Sequence, residues 1–196
     1  MNIFYLDSDP VVCAQMHCDK HVVKMILESC QLLSTAHRVL DGHSTIEKSA
    51  SGRNVKRWYL NDLRQGILYG ATHINHPSAI WCRENILHYS WLRELLDALL
   101  EEYTHRYEKI HKCETIAKYL MFPPYALGRL VEDFTEPPPA MPDECKVKND
   151  SVLSYRNYYI MHKARFAKWT NREVPIWYAK GIMKKEEKED ADLLVS

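Results

Sequence analysis

The sequence has no Cys-x-x-Cys pair, no apolar run of membrane length, no internal repeat and no excess of either charge. Each absence excludes something. The six cysteines, at 13, 18, 30, 82, 113 and 145, lack paired spacing, and several fall in apolar helical patterns. They read as buried free thiols in a reducing compartment rather than a disulfide frame. With no long apolar stretch, no membrane association is expected. The opening MNIFYLDSDP has neither a basic n-region nor the apolar core of a secretory signal, so the expected location is the cytoplasm. The formal net charge is +0, which leaves no global basic signature for nucleic acid. At 196 residues and 46% hydrophobic, the chain fits one domain with a substantial core.

What is present is helical periodicity. From His17 to Leu40, apolar residues recur at Val22, Val23, Ile26, Leu27, Cys30, Leu33, Ala36 and Leu40. This spacing predicts a long helix with one buried stripe, capped by Asp19 and stopped at Gly42. A second long pattern begins near Ser78, entered at Asn75 or Pro77, and its length predicts an internal break. Asp150 or Ser151 caps a third helix running in register to Trp169, and Pro175 starts a short last one. Asn2–Leu6 reads as an extended segment tucked on the core, and a short helix from Val11 to His17 follows. Residues 41–54 read as a mobile loop, and Val55–Tyr69 has no clear period. Six of the nine prolines fall in Phe122–Pro142, a long connection with room for one helical turn between its two proline groups. The expectation is an all-α fold: a single helical domain over residues 1–185 and an acidic disordered tail over 186–196.

Three features carry possible chemistry. On the first long helix, His17, His21, Lys24 and Glu28 form one line if the helix is continuous through Asp19, with Lys20 beside it. That line reads equally as a solvated face or as the wall of a polar site. A lysine amine there would serve as a Schiff-base nucleophile, His21 as a proton shuttle and Glu28 as the orienting carboxylate. The second feature is the pairing of His17 and His21 with His73 and His76, two spacings that each suit zinc. Nothing in the sequence joins the two pairs, so no metal and no cofactor is assigned. The third is the segment 151–185, where eight cations face a single acid, Glu173. Tyr155, Tyr158, Tyr159, Trp169, Trp177 and Tyr178 are interleaved, the usual footprint for phosphates and unstacked bases. The competing reading puts the aromatics in the core.

The chain resembles a set of phage and bacterial proteins through MNIFYLD, HCDKHVVKMILE, QLLSTAHRVLDG, NHPSAIW and SYRNYY. More distantly it resembles the pyrimidine-dimer DNA glycosylases of the phage endonuclease V type. Lys20-His21-Val22-Val23-Lys24 falls where that family has Arg-Glu-x-x-Arg. Asn75-His76-Pro77 precedes a long helix, and Pro175-Ile176-Trp177-Tyr178 is similar to the family's C-terminal Pro-Thr-Trp-Tyr. The resemblance implies a small helical enzyme that extrudes a nucleotide and cleaves its glycosidic bond through a Schiff base. The family's catalytic glutamate falls on His21, so Glu28 would substitute only in a rearranged site. The family's nucleophile is an N-terminal α-amine, which here belongs to Met1, since Asn2 is large enough for Met1 to be retained. An α-amine ordinarily titrates near 7.7–8.0 and a lysine near 10.4, which favours Met1 over Lys20 or Lys24 as the nucleophile.

The function expected is therefore that of a DNA-processing protein related to base-excision glycosylases, a candidate DNA N-glycosylase with DNA as its partner. Its catalytic candidates are Lys20, His21, Lys24, Glu28 and His76. Its substrate-binding candidates are Asn75, Trp81, Arg83, Arg165, Lys168, Arg172 and Trp177, with Trp81 and Trp177 as stacking residues. A non-catalytic nucleic-acid-binding module, a His-ligated metal enzyme and a helical protein-interaction factor are the alternatives.

Overall fold

The computed structural model describes residues 1–127 and 133–195. The helices, in chain order, are α1 (Pro10–Met16), α2 (Asp19–Asp41), α3 (Pro77–Cys82), α4 (Ile86–Tyr107), α5 (Glu114–Ala117), α6 (Ser151–Tyr158) and α7 (Ile176–Val195). A two-stranded antiparallel hairpin, β1 (His43–Lys48) and β2 (Asn54–Tyr59), follows α2. The fold is predominantly helical, as the periodicity predicts. No helix among the described residues is long and apolar enough to cross a membrane.

The local rules explain most of the boundaries. Asp9 accepts from the Val11 and Val12 amides and Pro10 opens α1, so a good cap and a pre-set φ start the helix together. The expected break falls between α3 and α4, where Asn85 caps the second helix by accepting from Leu87 N at 2.9 Å. Asp150 caps α6 by accepting from Leu153 N. The core lies where α4 crosses α1 and α2, filled by Met25, Ile26, Leu33, Leu92, Leu95 and Leu96. Ile3, Phe4, Tyr5 and Leu6 are buried as an extended segment, with Phe4 at φ 56°. That is a left-handed conformation a bulky residue rarely adopts. All six cysteines are buried and free.

Several expectations are corrected. The stretch 41–54 is not a loop: it supplies β1 and the turn of the hairpin, and β2 takes up part of the unassigned region. Gly42 does end α2, but for lack of room rather than for a special φ. A Cβ there would stand 2.4 Å from Arg38 O and 2.6 Å from Tyr59 O, so the hairpin folds back against the helix end only with glycine present. The third helix does not reach Trp169. It ends at Tyr158, passes through a π turn over Tyr159–Lys163 and a 3-10 turn over Ala164–Phe166, then becomes extended. The last helix is not short: α7 continues to Val195, through nearly all of the acidic end. The helical turn expected between the two proline groups falls in part on residues 128–132, outside the described residues.

Asp19 is not the cap of α2 either. Cys18 holds that position without a side-chain bond, and the Asp19 amide donates to Lys168 O at 2.8 Å. The Asp19 carboxylate instead accepts from Arg106 at 2.9 Å and from the Thr170 hydroxyl at 2.7 Å. Arg106, its side chain fully buried, also bonds Glu102 at 2.6 Å and Gln15 O at 3.0 Å, and Arg172 closes the group with a bidentate contact to Glu102. This node holds residues 168–172 at the start of α2, beside the helix break at His17–Cys18.

The Glu102 carboxyl is held below the usual range: burial alone would raise it, but the hydrogen bonds from Arg172 and Arg106 outweigh that. Its contribution to stability is therefore present above the ordinary carboxylate range, near pH 4.3, and is lost as pH falls through the depressed value. Glu102→Gln should cost about 3 kcal/mol at neutral pH, the low end for breaking a buried pair, because it leaves buried Arg106 with Asp19 as its remaining carboxylate partner. It should also flatten the acid limb of stability below about pH 4.3. Urea unfolding of both proteins between pH 3 and 7 measures the two effects, and superimposable curves would contradict them.

Candidate functional site

The geometry of the site follows from one stripe of α2. Lys24, Glu28, Gln31, Thr35, Arg38 and Gly42 are spaced by four, three, four, three and four, so they share a helix face. The segment from Tyr69 to His76 is laid along that face in the opposite direction. Arg38 Nε donates to Tyr69 O at 2.6 Å. Thr35 Oγ1 accepts from Thr72 N at 3.2 Å. Further along, His76 caps α3, with Nδ1 accepting from Ser78 N at 3.2 Å.

The N-terminal segment meets the same face. The Asn2 amide donates to Glu28 Oε2 at 2.8 Å, and Glu28 Oε1 pairs with Lys24 Nζ at 3.1 Å. The Asn2 side chain donates to Ala140 O at 2.7 Å, so the proline-rich connection clamps the segment from outside. That connection is itself fixed. Thr135 bonds His88, Pro137 O accepts from the Ser151 hydroxyl, and Pro138 O accepts from Tyr155 OH at 3.0 Å. Half-buried His76 is held below its ordinary proton affinity first by burial, then by the positive α-amino group and His73, with Glu28 opposing. The α-amine, Lys24, Glu28, His73 and His76 thus share one electrostatic neighbourhood. An amine, a carboxylate and a neutral imidazole in such a cluster suit nucleophilic attack with proton transfer.

The other candidates separate into groups. His21 is 4% exposed and lies under the Phe4 ring, with centroids 4.1 Å apart. Its Nδ1 is hydrogen-bonded to Tyr159 OH at 2.5 Å. Burial, helped by His17, Lys163 and Lys24, pushes its proton affinity down to about 2. A covered imidazole that stays neutral is a core group, and this corrects its expected role as a proton shuttle. His17 is also buried and sits beyond the helix break, so the four-residue line is not continuous. The four histidines do not converge. Among the described residues, the His, Cys and carboxylate group close enough to share an ion is Glu144, Cys145 and His162.

The two tryptophans differ. Trp81 is in the core, stacked on His88 at 4.5 Å and donating to Thr135 O, so it braces the proline-rich connection and is not open to a base. Trp177 is half-buried and donates to Met16 Sδ at 3.3 Å. It lines a groove of about 740 Å³ together with Arg156, Arg172 and Pro175. Neither Met1, Glu28 nor His76 borders that groove.

Arg83 spends its guanidinium on Ala79 O and Ile74 O, both at 2.7 Å, and so holds the turn before α3. Arg172 is committed to Glu102. Arg165 and Lys168 are exposed, and Arg165 shares the Phe166 ring with Lys20. Asn75 is exposed beside His76. The interleaved aromatics of the C-terminal segment largely face inward: Tyr155, Tyr159, Trp169 and Tyr178 are buried. The stacking half of the expected footprint is therefore core packing. Sequence reasoning passed over Asn2 and Ala140. A lone asparagine and a loop carbonyl carry no periodicity and no motif.

A family model described as pyrimidine dimer DNA glycosylase matches residues 1–115, more than half of the chain. The matched part contains Met1, Lys24, Glu28 and His76, and ends before the proline-rich connection. No curated protein and no solved structure matches.

Burial also lowers His17, to about 4, and His37, to about 4. All three histidines are thus neutral in the folded protein, whereas in the unfolded chain each titrates near 6.5. The sign follows: their contribution is complete above about pH 6.5 and is lost as pH falls, because the unfolded state binds protons first. Stability should already decline between about pH 6.5 and 5, before carboxylates contribute, at up to about 1.4 kcal/mol per pH unit per histidine. Denaturant midpoints at half-unit steps measure this, and a flat profile above pH 5 would exclude it.

Proposed function

The chain belongs to the pyrimidine dimer DNA glycosylase family, and from that premise we propose that it excises a damaged pyrimidine from DNA by amine catalysis at the Met1–Glu28 cluster. The observation that carries the reading is the Asn2–Glu28 hydrogen bond, which puts a carboxylate one residue from the α-amine. In this reading DNA is the partner. The amine nitrogen bonds to C1′ of an extruded nucleotide as the bond from C1′ to the base breaks, and the base leaves with the electron pair and takes up a proton. Glu28 accepts the proton lost by the amine. The C1′–O4′ bond then breaks, O4′ leaves with the electron pair and takes up the second amine proton, and an imine remains between the nitrogen and C1′.

Lys24 pairs with Glu28 at 3.1 Å and orients it. His76, neutral because of its burial and its neighbours, offers an uncharged ring near the reacting centre, and Asn75 lies on the open side. Lys20, Arg165 and Lys168 form an exposed cationic surface near the start of α2 and serve as phosphate contacts. Arg83, Trp81 and Arg172 support the scaffold. The carboxylate thus comes from Glu28 rather than from the position of the family's Arg-Glu-x-x-Arg glutamate, which His21 occupies.

Borohydride trapping on a duplex with an abasic site tests the reaction, and peptide mapping identifies the amine. The expected adduct is on the Met1 α-amine. An adduct on Lys24 would move the nucleophile while keeping the cluster, and no adduct on DNA that the protein binds would remove the reaction. Glu28→Gln retains an acceptor for the Asn2 amide but not the charge. It should slow single-turnover trapping about 10²–10⁴-fold with little change in DNA affinity. His76→Asn preserves a good helix cap and should reduce the rate without unfolding α3. Unchanged rates in both variants would place the chemistry elsewhere.

A further inference from the structure

The β1–β2 hairpin carries a feature the reaction does not use. Its register pairs His43 with Tyr59, Thr45 with Arg57 and Glu47 with Val55, and these residues share one face. That face is largely half-buried, and its one acid, Glu47, is paired with Arg57 at 3.5 Å. The other face holds Ser44, Ile46 and Lys48 opposite Trp58, Lys56 and Asn54. It contains no acid. Lys48 and Lys56 are exposed, Lys56 Nζ lies 5.0 Å above the Trp58 ring, and Ile46 is 74% exposed. Arg53, exposed in the turn, adds a third cation. In a chain of net charge +0, this sorting by face concentrates positive charge on one open surface.

The hairpin also has a fixed place relative to the amine cluster. Arg38 Nη1 donates to Trp58 O at 3.2 Å, and Gly42 packs against Tyr59 O. Both residues lie on the stripe of α2 that carries Glu28. Fourteen residues separate Glu28 from Gly42, about 21 Å of helix. A duplex rises about 3.4 Å per base pair, so that distance spans about six base pairs.

We infer that the open face of the hairpin is a second DNA-binding surface, which engages backbone phosphates about six base pairs from the target nucleotide. This rests on the glycosylase reading for the identity of the partner. Phosphates suit the surface because the cations are solvated and, among the described residues, unpaired with acids. The Trp58 ring lies beneath the Lys56 ammonium, and Ile46 stands exposed on the same face.

The test uses the full chain and two duplexes with a central abasic-site analogue, one extending four base pairs on each side and the other twelve. The variant is Lys48→Gln/Arg53→Gln/Lys56→Gln, which leaves the Glu47–Arg57 pair intact, with Lys48→Glu alone as a milder change. The triple variant should lose tenfold or more in affinity for the long duplex at low salt and little for the short one. Its salt slope should fall by about 0.9 for each phosphate the variant no longer neutralises. Borohydride trapping on the short duplex, with an abasic site, should be unchanged. Equal affinity and slope in wild type and variant on the long duplex would overturn the hairpin surface while leaving the reaction standing. Equal losses on both duplexes would also overturn it, because the hairpin would then act at the target itself. Failure of the wild type to bind or trap either duplex would remove the glycosylase reading, and this surface with it.

Discussion

Burying a guanidinium requires that each of its donors meet an acceptor, and two buried arginines impose that requirement on the ends of α2. Arg106 gathers Asp19, Glu102 and the Gln15 carbonyl at the start of the helix. Arg38 gathers the carbonyls of Trp58, Gln65, Leu68 and Tyr69 at its end, with the Gln65 side chain. Removing a partner from either would leave a charge in a low-dielectric interior. Segments far apart in sequence are therefore obliged to converge on one helix. The loop after the hairpin is drawn onto α2 by Arg38, and its continuation delivers His73 and His76 beside Glu28. The C-terminal segment is drawn onto the other end, where it meets the Asp19 amide. The middle of the stripe is then left to the N-terminal segment.

The sequence showed much of this where the signal was local and periodic. The apolar pattern of α2, the Asp9-Pro10 and Asp150 starts and an internal break in the second long pattern depend on neighbours within one helical turn, and all are present, except that Val23 of the α2 pattern is exposed. The hairpin was not legible because its half-buried face alternates over only six residues and its turn, Ser49–Arg53, holds no Asn-Gly or Asp-Gly pair. Asp19 looked like a cap by residue type, but its carboxylate found a stronger partner in Arg106 across 87 residues. Tyr155 and Trp169 looked like stacking residues because their spacing among cations is the same whether they face solvent or core. For the proposed site, Lys24 and Glu28 were legible as types on one helix face and His76 as a residue of the segment before α3. That the N-terminal segment would reach them was not, since it rests on Asn2 and on a carbonyl of the proline-rich connection.

The direction of that segment accounts for the departure from the family's motif. Asn2 lies at Glu28 and Phe4 lies on His21, so the chain runs antiparallel to α2, toward its start. His21 and Glu28 are seven residues apart, on the same stripe and about 10 Å apart along the helix axis. Two extended residues span at most about 7 Å, and the Phe4 side chain covers the remainder. With Phe4 held at φ 56° and its ring among His21, Tyr158 and Tyr159, position 21 is sealed from the amine. A carboxylate there would be buried beneath the Phe4 ring, which is costly, whereas a neutral histidine bonded to Tyr159 is not. In the proposed reaction the carboxylate that serves the amine stands instead two turns further along the same face. Glu28 is at that position, and Lys24, one turn before it, supplies its counter-charge.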